Sequence, residues 1–384
     1  MKKLKKDNWQ RKPFSFIADC VEKHDKKPIE HGLTKFIGLE NLDATSLRIN
    51  GAGEIVNGTT FSKIFKYGDV LFGKRRAYLR KVAVADFSGI CSGDILVFRA
   101  KEEKVLPSIL PLYVSSEAFM QYAVSTSAGS LSPRTKWRDL ATFEISLPPI
   151  EEQEQIATLF QSIKTAIEQA EKQENNLRRV KDTLISDLSS EKQQFGNHLK
   201  AKDFESVKFE NIAYNISERV EPKQTELTTY VGLEHLEADN LKIERTGTPD
   251  DVIGTKLKIY KGDIIFGKRR AYLRKVAVSH FDGIASAHSM ILRANEKNIE
   301  KEFLPYFMQS DTFMSRAVQI SEGSLSPTIK NSTLAKQEFI LPKKGKQKEL
   351  IQVFKQFDAT MDQLKKQKTT LMNLKQKLLN EILG

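Results

Sequence analysis

The chain carries one eleven-residue segment twice. Lys74-Arg75-Arg76-Ala77-Tyr78-Leu79-Arg80-Lys81-Val82-Ala83-Val84 recurs unchanged as Lys268-Arg269-Arg270-Ala271-Tyr272-Leu273-Arg274-Lys275-Val276-Ala277-Val278, displaced by 194 residues. Matching lead-ins precede the copies, Gly68-Asp69-Val70-Leu71-Phe72-Gly73 and Gly262-Asp263-Ile264-Ile265-Phe266-Gly267. An internal repeat constrains architecture more than any local pattern, because both copies must build the same unit. The offset of 194 holds without a gap from Phe36-Ile37-Gly38-Leu39-Glu40, against Tyr230-Val231-Gly232-Leu233-Glu234. It continues through Gly129-Ser130-Leu131-Ser132-Pro133, against Gly323-Ser324-Leu325-Ser326-Pro327, to Leu147-Pro148 against Leu341-Pro342. Upstream the offset becomes 195, setting Trp9, Phe14, Ile17 and Ala18 on Phe204, Phe209, Ile212 and Ala213. Two copies make a tandem duplication, not a solenoid.

The first part of each unit reads as β-rich. Val70-Leu71-Phe72, Val82-Ala83-Val84 and Ile95-Leu96-Val97-Phe98 are short β-prone runs punctuated by Gly and Asp. An extended Gly73–Ala83 would place Lys74, Arg76, Tyr78 and Arg80 on one face and Arg75, Ala77, Leu79 and Lys81 on the other. A short helix is expected over Leu110 to Val124, then the Gly-Ser-Leu-Ser-Pro loop, then a strand Phe143–Leu147 ending at Pro148-Pro149.

A different texture follows each unit. Glu151 to Ser190 holds no Gly or Pro. Ile156, Phe160, Ile163, Ile167, Ala170, Leu177, Leu184 and Leu188 keep a heptad spacing there, and Leu350, Phe354, Phe357, Met361, Leu364, Leu371, Leu378 and Ile382 repeat it. Glu174 and Lys181, then Lys368 and Lys375, interrupt the seam at equivalent positions. The expectation is that these sit at the seam's edge while Val180 and Leu374 carry the packing; the alternative is that they set register. A helix of about 40 residues is roughly 60 Å long and cannot bury its stripe alone. The two are therefore expected to pack on each other; an antiparallel pair would relate the β-rich units by a pseudo-twofold axis, and the heptad pattern fits a parallel pair as well.

Charge narrows the partner. The formal net charge is +12 over 384 residues, and five of the eleven repeated residues are cationic. Cations at this density repel one another unless an anion offsets them, which points to a polyanion. Lysine and arginine neutralise phosphates, and arginine also reads guanine edges; sequence does not divide these tasks among Lys74, Arg76 and Arg80. Tyr78 stacks on a base or simply packs at a rim. Ser130, Ser132, Ser324 and Ser326 suit phosphate or base-edge contacts, and equally a plain turn before Pro133 or Pro327. Arg134-Thr135-Lys136-Trp137-Arg138 faces Thr328-Ile329-Lys330-Asn331-Ser332, a divergence that would let two units read different bases.

Reaction chemistry has little support. Gly68 to Lys74 and Gly262 to Lys268 satisfy G-x-x-x-x-G-K, but Arg75 and Arg269 stand where a nucleotide loop needs Ser or Thr. The histidines do not repeat. Cys20 and Cys91 align with Asn215 and Ala285, so neither a disulfide framework nor zinc is expected, and a reducing cytoplasm fits. No run of eighteen apolar residues suggests a membrane span, and no secretory signal is expected at the start.

The order of parts resembles the specificity subunit of Type I restriction–modification systems. Carrying the resemblance are the Trp9/Phe204 lead-in, Gly-Asp-Ile/Val…Phe-Gly-Lys, Arg-Ala-Tyr-Leu-Arg-Lys-Val-Ala, Gly-Ser-Leu-Ser-Pro, and Leu147-Pro148-Pro149-Ile150-Glu151-Glu152-Gln153 entering a long helix. It covers essentially the whole chain. The second copy departs at Leu341-Pro342-Lys343-Lys344-Gly345-Lys346, which leaves its helix start open.

The resemblance implies an α+β fold: two pseudo-twofold-related β-rich target-recognition domains with small helices, separated by two long antiparallel coiled-coil helices. The expected divisions are 1–149 and 193–343 for the recognition domains, and 150–192 and 344–384 for the helices. Each domain would read one half of a split double-stranded DNA site, with half-sites about one helical turn apart. Identical basic elements would dock alike, so the half-sites would share a base at equivalent positions. Two methyltransferase subunits carrying S-adenosylmethionine, and ATP- and Mg-dependent restriction subunits, would be the partners. This chain would hold no cofactor or metal and no catalytic residue. A specificity chain of another restriction class, or of an orphan methylation-only system, is the alternative. The expected DNA-binding residues are Lys74, Arg75, Arg76, Tyr78, Arg80, Lys81, Ser130, Ser132 and Lys136 in the first copy. Lys268, Arg269, Arg270, Tyr272, Arg274, Lys275, Ser324, Ser326 and Lys330 are their counterparts.

Overall fold

The computed structural model of the chain describes residues 6–44, 46–187 and 199–384. The seam residue Leu188 and the expected division at 192/193 lie outside them. The chain forms two compact units, Met1–Ala170 with Lys366–Gly384, and Glu171–Lys365.

In the first unit, strand Val70–Gly73 lies between Val82–Val84 and Ile95–Ala100, and Ala18–Cys20 completes a four-stranded sheet. A second sheet is built around Gly89–Cys91, which pairs parallel to Lys35–Ile37 and antiparallel to Lys63–Phe65. The central strand is buried on both sides, which is why its sequence is a continuous apolar run and not an alternating one. Val70 and Phe72 point into the larger core with Phe14, Phe98 and Phe119. Leu71 points the other way, into a smaller core with Ile37, Phe65 and Val97. The second unit repeats this: Ile264 and Phe266 face one core and Ile265 the other.

The Gly-Asp lead-in has a structural purpose. Gly68 has φ +87°, in the left-handed region that favours glycine. Asp69, almost fully buried, accepts from the Lys66 amide at 2.7 Å and takes both arms of Arg99 at 2.7 Å. Asp263 does the same with Tyr260 and Arg293. Residues 70–73 are a buried strand followed by the three-residue 3-10 turn Ala77–Leu79 and not by an α-helix opening at Lys74, so the G-x-x-x-x-G-K match lacks the helix N-terminus of a phosphate cradle.

The expected helix over 110–124 is two helices, Leu110–Ser115 and Glu117–Ser125. Ser116 divides them: its backbone is extended and its Oγ accepts from the Phe119 amide at 3.2 Å, capping the second. Strands Gln10–Pro13 and Glu144–Leu147 pair, as do Phe204–Lys208 and Glu338–Pro342, so each unit's start is tied to its end.

The long helices span Ile150–Asp187 and Lys344–Leu383. Their starts are held alike despite the sequence divergence there. Gln153 donates to Pro148 O at 2.9 Å and accepts from the Leu106 amide at 2.9 Å. Gln347 does so with Pro342 O at 2.8 Å and the Glu300 amide at 2.7 Å. Within the first unit, Ile156 and Phe160 share a core with Leu379, Ile382 and Leu383, while Lys164 lies near Lys375. Within the second, Lys181 meets Asp358, and Leu184 and Ile185 pack with Leu350, Ile351 and Phe354. As one helix advances its partner residues recede, so the pairing is antiparallel.

The edge reading is overturned for the polar residues of the first helix, while Lys368 and Lys375 on the second are half-buried. Val180 and Leu374 are exposed, whereas Glu174 and Lys181 are buried. The heptad spacing places positions 174 and 181 in the seam itself. Lys181 Nζ donates to Asp358 Oδ1 at 2.6 Å and lies 5.1 Å over the Tyr306 ring, and Tyr306 donates to Asp358 Oδ2 at 2.7 Å. Removing one partner of such a buried pair leaves a charge without its counter-ion. Lys181→Ala should lower unfolding stability by about 3 kcal/mol. Lys181→Met with Asp358→Asn should recover most of it, read from urea midpoints.

Candidate nucleic-acid interface

The repeated basic segment is not an extended strand, and its side chains do not alternate between two faces. The strand stops at Gly73 and the next begins at Val82. Between them Ala77–Leu79 forms a tight 3-10 turn, flanked by Arg76 (φ +54°) and Arg80 (φ +54°) in the left-handed region. Arg270 (φ +57°) and Arg274 (φ +53°) repeat this. Left-handed backbone at a non-glycine residue costs about 1 kcal/mol or more, so four instances need compensating contacts. Ala77 and Ala271 supply one, as the buried pivots of the turns.

The second contact joins two motifs far apart in sequence. The Arg76 amide donates to Pro133 O at 2.7 Å, the Thr135 amide donates to Lys74 O at 3.1 Å, and Arg75 bridges Arg134. The Gly-Ser-Leu-Ser-Pro loop is thus clamped to the basic turn. In the second unit the Arg270 amide reaches Pro327 O at 2.7 Å and the Ile329 amide reaches Lys268 O at 3.0 Å. Gly129 (φ +112°) and Gly323 (φ +107°) turn the chain where a side chain would be strained.

The cations separate into two groups. Lys81 and Lys275 cap internal carbonyls, Leu39 O at 2.7 Å and Leu233 O at 2.6 Å. Arg80 forks onto Glu117 at 2.5 and 2.6 Å. Arg274 binds Asp239 at 2.7 Å, Asp311 at 2.9 Å and Gln309 O at 2.6 Å. Lys330 pairs with Glu322 at 2.6 Å. Internal carboxylates therefore offset part of the charge that the sequence assigned to an external anion. Lys74, Arg76, Lys136, Lys268 and Arg270 have no carboxylate at ion-pair distance among the described residues. Tyr78 and Tyr272 are about half exposed beside them, at 52% and 53%. Ser130 and Ser324 are exposed on the loop, while Ser132 and Ser326 are half-buried.

Identical segments meet different surroundings. Asp94 accepts from Arg75 at 3.2 Å and Arg134 at 2.8 Å. Burial opposes its charge, but these guanidinium hydrogen bonds hold its carboxyl below the usual range. The equivalent residue is His288, so Arg269 instead meets imidazole Nε2 at 3.2 Å and donates to Ser326 Oγ at 3.1 Å. Burial first, then Arg269, Lys268 and Lys256, push the His288 pKa down. Lys268 is likewise depressed, by burial and by Arg219. The second site is a cluster of cationic side chains without the first site's carboxylate. The sequence reading missed Asp94, His288, Glu117 and Asp311; comparing residues at the 194 offset shows the first pair as a charge change.

Each unit thus presents one copy of the basic turn with a loop clamped to it. The chain belongs to the family of the Type I restriction modification DNA specificity domain, whose model matches residues 29–178 and 223–373. The Type I restriction enzyme EcoDI specificity subunit of Escherichia coli is 25% identical over 222 residues, covering 57% of this chain and 49% of the relative. The chain therefore spans about half the length of that relative. The MjaVIII specificity subunit of Methanocaldococcus jannaschii is 23% identical over 318 residues, covering 77% and 73%. A chain from a structural study of complex assembly in the type I R-M system shares the fold at TM-score 0.61, with 18% identity over 97% of this chain and 96% of that one. The S subunit of such a system from M. genitalium does so at TM-score 0.56, with 14% identity over 100% and 98%. No described helix is long and apolar enough to cross a membrane.

The histidine yields a pH prediction. A depressed imidazole pKa means the unfolded chain binds the proton more readily, so stability falls as pH drops through the unfolded value of about 6.5. Between about pH 7.5 and 5.5 the wild type should lose more urea stability than His288→Asn. Asp94, depressed below ordinary carboxylates, keeps its contribution throughout that window and loses it only on further acidification.

Proposed function

We propose that the chain is the DNA-recognition subunit of a Type I restriction–modification complex. Each β-rich domain reads one half of a bipartite target, and the chain positions two methyltransferase subunits and the restriction subunits. The recognition domains are residues 1–149 and 193–343, and the helical segments are 150–192 and 344–384. The chain works in the cytoplasm and carries no catalytic site; S-adenosylmethionine, ATP and Mg belong to its partners.

What carries this reading is the same clamped basic turn built twice in a member of this family, with uncompensated cations at each. Lys74 and Arg76, and Lys268 and Arg270, are the primary phosphate or base contacts, with Tyr78, Tyr272, Ser130, Ser324 and Lys136 beside them. Arg75, Ser132, Arg269, Ser326 and Lys330 form the second rank. Arg80, Lys81, Arg274 and Lys275 act mainly by holding the turn.

Mapping of methylated bases in cells expressing the chain with its methyltransferase should give a split target. Arg76→Ala with Arg270→Ala should weaken binding to that target and make the plot of log K against log salt shallower by about 2, one unit per lost phosphate contact. Unchanged affinity and slope would remove the basic turns from the DNA surface.

A further inference from the structure

Leu131 and Leu325 are 89% and 90% exposed, the most exposed large apolar side chains that recur in both units. Val56 and Ile253 are comparably exposed, but Asp250 and Thr59 stand at their equivalent positions, so their exposure belongs to one copy only. Scattered exposed leucines are ordinary. A leucine held out at the same point of the same loop, twice, is not.

The loop gives it no way to fold back. Ala128 and Arg134 exchange backbone hydrogen bonds at 3.0 and 2.9 Å across the loop's neck, as do Glu322 and Thr328. Thr126 and Thr135 join their hydroxyls at 3.0 Å beneath the first loop. The amides of Arg76 and Arg270 tie each loop's end to the basic turn. In the first unit the Arg76 guanidinium reaches Leu131 O at 3.5 Å, and in the second the Arg270 amide ties down the end of the loop that carries Leu325; neither arginine has a carboxylate at ion-pair distance among the described residues. An apolar tip flanked by cations matches a duplex, whose phosphates take the cations and whose stacked bases offer apolar surface between them.

We propose that Leu131 and Leu325 are base-stack wedges: each enters the groove beside the phosphates held by Arg76 or Arg270 and packs between adjacent bases, opening that step. This rests on the DNA-recognition reading. It assigns a residue and a kind of contact that the charges do not. The leucine's contribution should be independent of salt, because no counterion is released when an apolar side chain is buried.

The test uses the full chain with its methyltransferase partner and duplexes carrying the mapped target, with 2-aminopurine placed at successive steps. Wild type should bind and raise 2-aminopurine fluorescence at one step in each half-site. Leu131→Ala with Leu325→Ala should bind about a hundred-fold more weakly, roughly ten-fold for each leucine's burial, with an unchanged salt slope and no fluorescence rise. Leu131→Met with Leu325→Met should restore both. The wedge is overturned if the alanine variant keeps wild-type affinity and fluorescence. It is also overturned if that variant does so while losing the methyltransferase, which would make the leucines a protein-docking contact. Failure of the wild type to bind the mapped duplex would sink the DNA reading itself, and the wedge with it.

Discussion

The hydrogen bond from the Arg76 amide to Pro133 O, and its twin from Arg270 to Pro327 O, is the contact on which the candidate site depends. It joins a strained turn to a loop more than fifty residues onward. A left-handed arginine is unfavourable in isolation and persists only where its surroundings over-determine it. Here a buried alanine, a 3-10 turn and a carbonyl from the second loop do so together. The result is a platform that brings the cations, a half-exposed tyrosine and an exposed leucine together within each unit.

Around that platform, the identity of the two segments conceals a difference in electrostatics. In the first unit Asp94 gathers Arg75 and Arg134, so two guanidiniums share one carboxylate. In the second, His288 replaces the carboxylate, and burial with three cations keeps the imidazole pKa low. Two readers built from the same eleven residues therefore present different fields to whatever approaches them. Divergence outside the repeat, not inside it, is where the units acquire separate preferences.

The long helices show a related economy. Their heptads were legible because apolar spacing survives in the sequence whatever the partner. The roles of Glu174 and Lys181 were not, since a polar residue at a seam position reads alike whether it is edge or core. The buried Lys181–Asp358–Tyr306 contact decides it by supplying both a counter-charge and a hydroxyl donor. At the second helix start, the altered Lys343-Lys344-Gly345 sequence obscured a junction that Gln347 builds just as Gln153 does.

The sequence by itself determined the duplication, the β-prone runs of each unit, the paired helices and the family. All of these are carried by repetition and apolar period, which are local and redundant. It did not determine the path of the basic segment: the flanking β-prone runs suggested an extended strand, and two left-handed arginines made it a turn. Nor did it tell structural cations from available ones, because Asp94, Glu117, Asp239 and Asp311 lie tens of residues from the arginines they hold. Ion pairs and clamps of that kind depend on which distant carboxylates and carbonyls the fold brings within about 3 Å, and only tertiary structure sets that distance.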